Sequence, residues 1–557
     1  MRSHPMRLAT LLATLVAGVG LPAPAHAQRG RGGTMNGAGM SLEAQADRIF
    51  AQFNSTHTPG CAVGAEVNGR TVLMRGYGMA DLETGTPITP NTIFESGSVA
   101  KQFTATGILL LVQDGRIHLD DPVRKYVPEL PEYPRPLLIR HLLSHTSGLR
   151  EWSNLVALAG WPRGTRVHTQ ADLLEVVFAQ KSLNYPVGDY YSYTNSGFAL
   201  LPTIIERVSG MPFDQFEEER IFRPLGLVHT RWRSDFTTVV PGRAQAYARR
   251  GAGWELDMPF ENVIGPGGLL TTVSDWLKWN AALTNRTLGA AVVDSLTTRA
   301  VLTNGRTISY ARGVIVGSYR GTPEIQHSGS TGGYSTFLAR YPDKNVSIAV
   351  LCNAAGAPAT QFTRQLADAL IPGLPAPVAP DTVATDSAAA ARLTGVYMNT
   401  RTHELLAVGS AGGGGGATPR ALRDGAWMLG NSRVLVDEAS GAVTGIRVLA
   451  ADADTVPYRL VAREPWRPSP QQLAAYAGRY RSDELPGTIW TVRVEGDHLV
   501  ASPRPALTVT LTPAFPDGFR AGAALGTVWF TRDGRGGVTQ MHSGAARVWD
   551  FVFARVP

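Results

Sequence analysis

Phe94-Glu95-Ser96-Gly97-Ser98-Val99-Ala100-Lys101 runs almost directly into an apolar stretch, Phe103 to Val112. The spacing predicts a helix that starts near Ser98, and helical residues three apart share a face, so Lys101 is placed beside the Ser98 hydroxyl. A serine hydroxyl is a weak nucleophile until a base removes its proton. A lysine serves as that base when burial or nearby positive charge leaves its amine neutral. Lysine is scarce in this chain: Lys101, Lys125, Lys181, Lys278 and Lys344 are the only five among 52 Lys+Arg. Composition alone would supply roughly 0.3 Ser-x-x-Lys in such a chain. Ser98-x-x-Lys101 is its single instance. The bland alternative is a surface helix with an incidental polar pair.

Two further groups complete a constellation. In Tyr190-Tyr191-Ser192-Tyr193-Thr194-Asn195-Ser196-Gly197, the Tyr193 phenol and the Asn195 amide can face one cleft from a loop or extended segment. Tyr193 can relay protons where neighbouring cations depress its pKa, and Asn195 can bind a substrate amide or hold Lys101. Next comes His327-Ser328-Gly329-Ser330, leading into two strand-like runs, Tyr334 to Tyr341 and Val346 to Leu351. Gly329 would let a substrate lie close to the strand backbone, and the Ser330 N–H can join that of Ser98 in an oxyanion hole. Each pattern has a decoy downstream. Tyr397-Met398-Asn399 reads as a strand pair, and His542-Ser543-Gly544 as a β-turn without a Ser-x-x-Lys in its own region.

In the order Ser-x-x-Lys, Tyr-x-Asn, His-x-Gly, the chain resembles the serine β-lactamase and penicillin-recognising superfamily. The likeness is greatest to its class C-like branch: class C β-lactamases, DD-peptidases, D-aminopeptidases and family VIII esterases. Ile139-Arg140-His141-Leu142-Leu143-Ser144-His145-Thr146-Ser147-Gly148-Leu149, the segment from Asp114-Gly115 to Pro128, and Gly267-Gly268-Leu269-Leu270-Thr271-Thr272 strengthen the resemblance, which covers about residues 42–372. It implies an α/β (α+β) catalytic domain, an antiparallel sheet against a helical lobe, with Ser98 at a helix N-terminus whose dipole favours an oxyanion. It also implies acyl transfer without metal or organic cofactor. Ser98 attacks, Lys101 and Tyr193 move its proton, Asn195 aligns the substrate, and the Ser98 and Ser330 N–H groups hold the oxyanion. His327 stands where classical members carry lysine; an imidazole only partly charged near neutrality anchors a carboxylate less firmly, which favours an esterase or peptidase of other specificity. His145 is expected to be structural. The family's sheet further implies that Cys61 and Cys352 approach closely enough for a disulfide. A non-hydrolytic penicillin-binding-type receptor, or a cell-wall peptide-binding protein, is the rival reading.

The remaining sequence sets the context. With 557 residues, 44% hydrophobic, 60 Gly in no strict period and 2 Cys, collagen-like, disordered and disulfide-framework classes are excluded. The net charge of +7 is scattered and marks no nucleic-acid partner. Residues 1–27 read as a signal peptide: Arg2 and Arg7, an apolar run to Leu21, then Ala25-His26-Ala27. The mature chain is therefore expected in the periplasm or secreted, with no transmembrane anchor and its oligomeric state open. The partner is expected to be a small-molecule ester, amide or peptide. A flexible leader (28–40), a catalytic domain (41–372) and a Pro/Ala-rich linker (373–390) precede a C-terminal all-β region (391–557) that resembles lipocalin-like appendages. That region holds two similar halves, opened by Leu393-Thr394-Gly395-Val396-Tyr397 and Tyr476-Ala477-Gly478-Arg479-Tyr480.

Overall fold

The structure is a computed structural model that describes residues 40–409 and 416–557. The signal peptide expected over 1–27 and all but the last residue of the leader lie outside the described residues. Two compact units follow, one ending at Ala379 and one running Pro380–Pro557.

In the first unit, strands β1 (Cys61–Val67) and β2 (Arg70–Tyr77) form the hairpin that Asn68-Gly69 predicts. Asn68 and Gly69 have φ of 52° and 72°, the left-handed pair that lets a two-residue turn follow the strand twist. Late in the unit come β3 (Ile315–Tyr319), β4 (Thr322–Thr331), β5 (Tyr334–Tyr341) and β6 (Val346–Cys352). The sheet order is β3-β4-β5-β6-β1-β2, antiparallel throughout. β1 and β6, from opposite ends of the unit's sequence, therefore lie side by side.

Strand β1 is apolar on both faces because both are covered. Val63 and Ala65 pack with Ala46, Phe50, Phe362 and Leu366, which come from or adjoin helices Leu42–Ile49 and Ala359–Leu370. Ala62 faces the other way, into the core that contains Phe103, Leu200 and Trp276. That second core is built around helix α1 (Lys101–Gln113), whose residues are buried all round from Lys101 to Leu111. Such a helix belongs to an interior. Its polar side chains have partners: Gln102 Oε1 accepts from Trp279 Nε1 at 3.1 Å, and Thr104 Oγ1 donates to the Gly265 carbonyl at 2.9 Å.

The register of β1 on β6 sets Cys61 opposite Cys352, and the two form a disulfide in the buried core. The bond closes a loop with a sequence separation of 291. Replacing both cysteines by alanine is expected to cost about 2–5 kcal/mol, read as a lower denaturation midpoint. Thiol titration of the denatured, unreduced protein should find no reactive thiol; two would refute the bond.

The C-terminal unit holds a seven-stranded sheet and a closed barrel of eight strands, from Gly478–Arg481 to Val548–Val556. The two repeated stretches make the same local bond: Tyr397 Oη donates to the Leu393 carbonyl at 2.8 Å and Tyr480 Oη to that of Tyr476 at 2.7 Å. Tyr397-Met398-Asn399 lies buried in a strand, as its pattern suggests. His542-Ser543-Gly544 sits within strand Val538–Ala545 rather than in a turn, with His542 Nδ1 2.8 Å from Asp550 Oδ1 on the neighbouring strand. Among the described residues, no helix is long and apolar enough to cross a membrane.

Candidate active site

Ser98 lies in the 3-10 turn Gly97–Ala100 that leads into α1. Gly97 has a φ of +54°, and a Cβ there would come within 2.5 Å of the Ser330 backbone nitrogen. Glycine thus lets the turn lie directly against β4. Gly329 serves the same contact from the other side: a Cβ would sit 2.0 Å from the Ser96 carbonyl oxygen and 2.3 Å from Thr336 Oγ1. The side-chain position at Gly329 is filled by the loop that carries Ser98. Thr336 Oγ1 donates to that Ser96 carbonyl at 2.8 Å. Ser330 is exposed at the edge of this contact.

Lys101 is fully buried, with its Nζ 3.1 Å from Ser98 Oγ, 2.8 Å from Asn195 Oδ1 and 2.7 Å from the Pro266 carbonyl oxygen. The last two atoms can only accept, so they take two N–H donors. The third direction points at Ser98. As an ammonium Lys101 donates there, and as an amine it offers a lone pair to the serine proton. This geometry can activate a hydroxyl and reprotonate a leaving group. The Tyr193 ring centroid lies 4.9 Å from the same Nζ. Tyr193 comes from the irregular segment before helix α2 (Asn195–Ser209), and Asn195 is that helix's first residue, one position after its Thr194 cap.

Glu151 is the residue that sequence reasoning missed. It is fully buried, and its carboxylate accepts from Asn195 N at 2.5 Å, Asn195 Nδ2 at 3.1 Å, Thr194 Oγ1 at 3.2 Å and Ser153 Oγ at 3.0 Å. A carboxylate accepts only, so the Asn195 NH2 must face it and the amide oxygen must face Lys101. Its one sequence signal is a carboxylate two residues beyond the Ser-His-Thr-Ser-Gly-Leu run. Glu151→Gln would set an amide N–H against Asn195 donors, and it is expected to lower kcat by about ten- to a hundredfold with a folded protein. An unchanged kcat would refute the orienting role.

His145 takes the structural place expected for it. Its Nδ1 accepts from Thr194 N at 3.2 Å, and its ring lies 4.1 Å from that of Tyr193 and 4.5 Å from that of Tyr310. His327 departs from expectation. It is 3% exposed; burial, with the Lys101 charge adding to it, pushes its pKa down to about 3. Both causes favour the neutral imidazole over the charged one.

Behind the Ser98 loop, Glu95 is bidentate to Arg233 at 2.9 and 3.0 Å and accepts from Arg243 Nη2 at 3.0 Å. Among the described residues, no group of three or more His, Cys, Asp or Glu side chains is placed to hold a metal ion.

The sequence profile of the family described as Beta-lactamase matches residues 46–372, more than half of the chain. The chain belongs to the β-lactamase family. As a member, it is a serine hydrolase of the β-lactamase and penicillin-binding superfamily. This β-lactamase-family chain is 28% identical to a penicillin-binding protein of Bacillus subtilis (strain 168) over 329 residues, covering 55% of this chain and 70% of that one. It is 27% identical to the D-aminopeptidase of Gluconobacter oxydans (strain 621H) over 472 residues, 82% of this chain and 85% of that protein. Two solved structures share the fold. The octameric penicillin-binding protein homologue from Pyrococcus abyssi matches with a TM-score of 0.52 at 22% identity, covering 92% of this chain and 98% of that one. The D-amino acid amidase from Ochrobactrum anthropi SV3 matches with a TM-score of 0.52 at 21% identity, covering 59% and 98%.

Proposed function

We propose that the protein hydrolyses a small amide, peptide or ester through an acyl-enzyme on Ser98. The observation that carries this reading is the Lys101 Nζ, held by Asn195 Oδ1 and the Pro266 carbonyl with its third direction on Ser98 Oγ. In the proposed reaction, Ser98 Oγ bonds to the substrate carbonyl carbon as its proton passes to Lys101. The N–H groups of Ser98 and Ser330 stabilise the oxyanion. Collapse of the tetrahedral intermediate breaks the bond to the leaving group, which takes a proton from the Lys101–Tyr193 pair. Water then attacks the ester and restores Ser98. Asn195 and the strand from His327 to Ser330 align the substrate.

Relatives named D-aminopeptidase support an amide-directed reaction. The neutral His327 favours substrates without a carboxylate to be anchored. The Cys61–Cys352 disulfide supports export to the periplasm or beyond, where such bonds persist.

Purified protein should be assayed with a D-alanyl p-nitroanilide, p-nitrophenyl butyrate and nitrocefin, with the intact mass followed during turnover. Steady release from the anilide or the ester, with an adduct on the Ser98 peptide, is the expected result. A stoichiometric burst without turnover would instead assign a penicillin-binding-type receptor, and no release with no adduct would remove acyl transfer altogether.

A further inference from the structure

Strand β5 carries an arginine into the interior of the catalytic unit. Tyr334 and Leu338 of this strand pack into the core around α1, while Phe337, Ala339 and Tyr341 pack into the core on the other face of the sheet. Side chains alternate along a strand, so Arg340 shares the α1 side with Leu338. There it is 7% exposed. Its neighbours in the sheet are Ile325 on β4 and Ser347 on β6, neither of them charged. A guanidinium has five N–H donors and accepts nothing. Among the described residues, no acceptor takes a hydrogen bond from the Arg340 side chain, and its Nε is wholly buried.

The elements packed around Arg340 bring no counter-charge. The helix Val273–Thr284 ends over this part of the sheet, where Asn280 Nδ2 donates to the Ala339 carbonyl at 3.1 Å. The carbonyls of its last turn are engaged: that of Asn280 accepts from Thr284 Oγ1 at 2.9 Å, that of Ala281 from Asn285 N at 2.8 Å and that of Ala282 from Thr287 N at 2.9 Å. Arg286, just past the helix, acts on Arg340 as a second cation. Its own charge is balanced by Asp294, whose carboxylate accepts from both Nη atoms. Glu66 belongs to the same row of the sheet, but it lies two strands away, beyond Ser347, and accepts from Thr71 Oγ1 at 3.4 Å. One positive charge is left over. Burial, with the Arg286 charge adding to it, pushes the Arg340 guanidinium down to about 10, which still leaves it charged near neutrality.

We propose that Arg340 binds a small monovalent anion of the chloride class, held by its guanidinium and by the field of Arg286. A buried charge is costly unless it is paired, and the protein around Arg340 leaves one unit unpaired. That excess matches a single monovalent ion. The slight exposure of Arg340 admits a bare ion more readily than a phosphate or a molecule that carries a carboxylate. The site uses none of the groups around Ser98, so it stands independently of the acyl-transfer reading.

The test follows thermal unfolding of the full chain at constant ionic strength while chloride replaces gluconate, in the wild type and in Arg340→Met. Methionine keeps an unbranched apolar stem and removes the charge. In the wild type, the midpoint of the catalytic unit's transition should rise by about 2 °C for each tenfold increase in chloride, the mass-action slope for one bound ion. The slope should vanish in Arg340→Met. An equal slope in both proteins, or none in the wild type, overturns the proposal; water then solvates the guanidinium. Bromide gives a second measurement that needs no variant and decides the matter if Arg340→Met does not fold. Wild-type crystals soaked in bromide should show an anomalous peak within about 3.5 Å of the Arg340 guanidinium, and a soaked crystal without that peak overturns the site.

Discussion

Lys101→Ala is expected to lower kcat/KM by about a thousandfold, and Ser98→Ala to abolish turnover and covalent labelling outright. The size of the lysine effect follows from the contacts of one atom. Nζ reaches Ser98 Oγ, Asn195 Oδ1 and the Pro266 carbonyl, so its removal takes the serine's base and leaves the two acceptors without this donor. Lys101→Arg separates the two consequences. A guanidinium keeps the positive charge but does not give up a proton near neutrality, so it cannot serve as the base. We expect Lys101→Arg to be as inactive as the alanine variant, measured by kcat/KM on an ester and by fluorophosphonate labelling of Ser98, with circular dichroism to verify folding. Activity within tenfold of wild type in Lys101→Arg would end the reading of Lys101 as a base.

Glu95→Ala is expected to destabilise the catalytic unit by about 3–5 kcal/mol, which is the cost of stripping a buried ion pair of one partner. Glu95 and Arg233 are each 1% exposed at the side chain and Arg243 is 11% exposed, so water cannot replace the lost carboxylate. Glu95 lies three residues before Ser98, and its neighbour Ser96 holds the contact with Gly329 and Thr336. The variant should therefore lose activity together with stability. Urea denaturation of the variant gives the number; a loss under about 1 kcal/mol would mean that the arginines find other partners.

Residues close in the chain made much of this site legible. Ser98 and Lys101 are one helical turn apart, so their proximity follows from local geometry, and the scarcity of lysine made the pair informative. The Asn68-Gly69 hairpin was legible for the same reason. Glu151 was not, because its meaning depends on Asn195, 44 positions later, and nothing in its own neighbourhood singles it out. The sequence marked Gly329 as a close approach to the strand backbone without showing what its missing side chain makes room for. A missing side chain does not reveal which neighbour needs the space, and here it is the Ser96 carbonyl.

The sequence by itself put Ser98 beside Lys101 and singled out the Tyr-x-Asn and His-x-Gly segments and an all-β C-terminal region, because these rest on spacing within a few residues or on composition. Only the tertiary structure decided the burial of His327, the orientation of the Asn195 amide and the bond between Cys61 and Cys352. Each depends on burial or on the register between segments far apart in the chain. Desolvation and long-range pairing are properties of the packed fold, and no local run of residues encodes them.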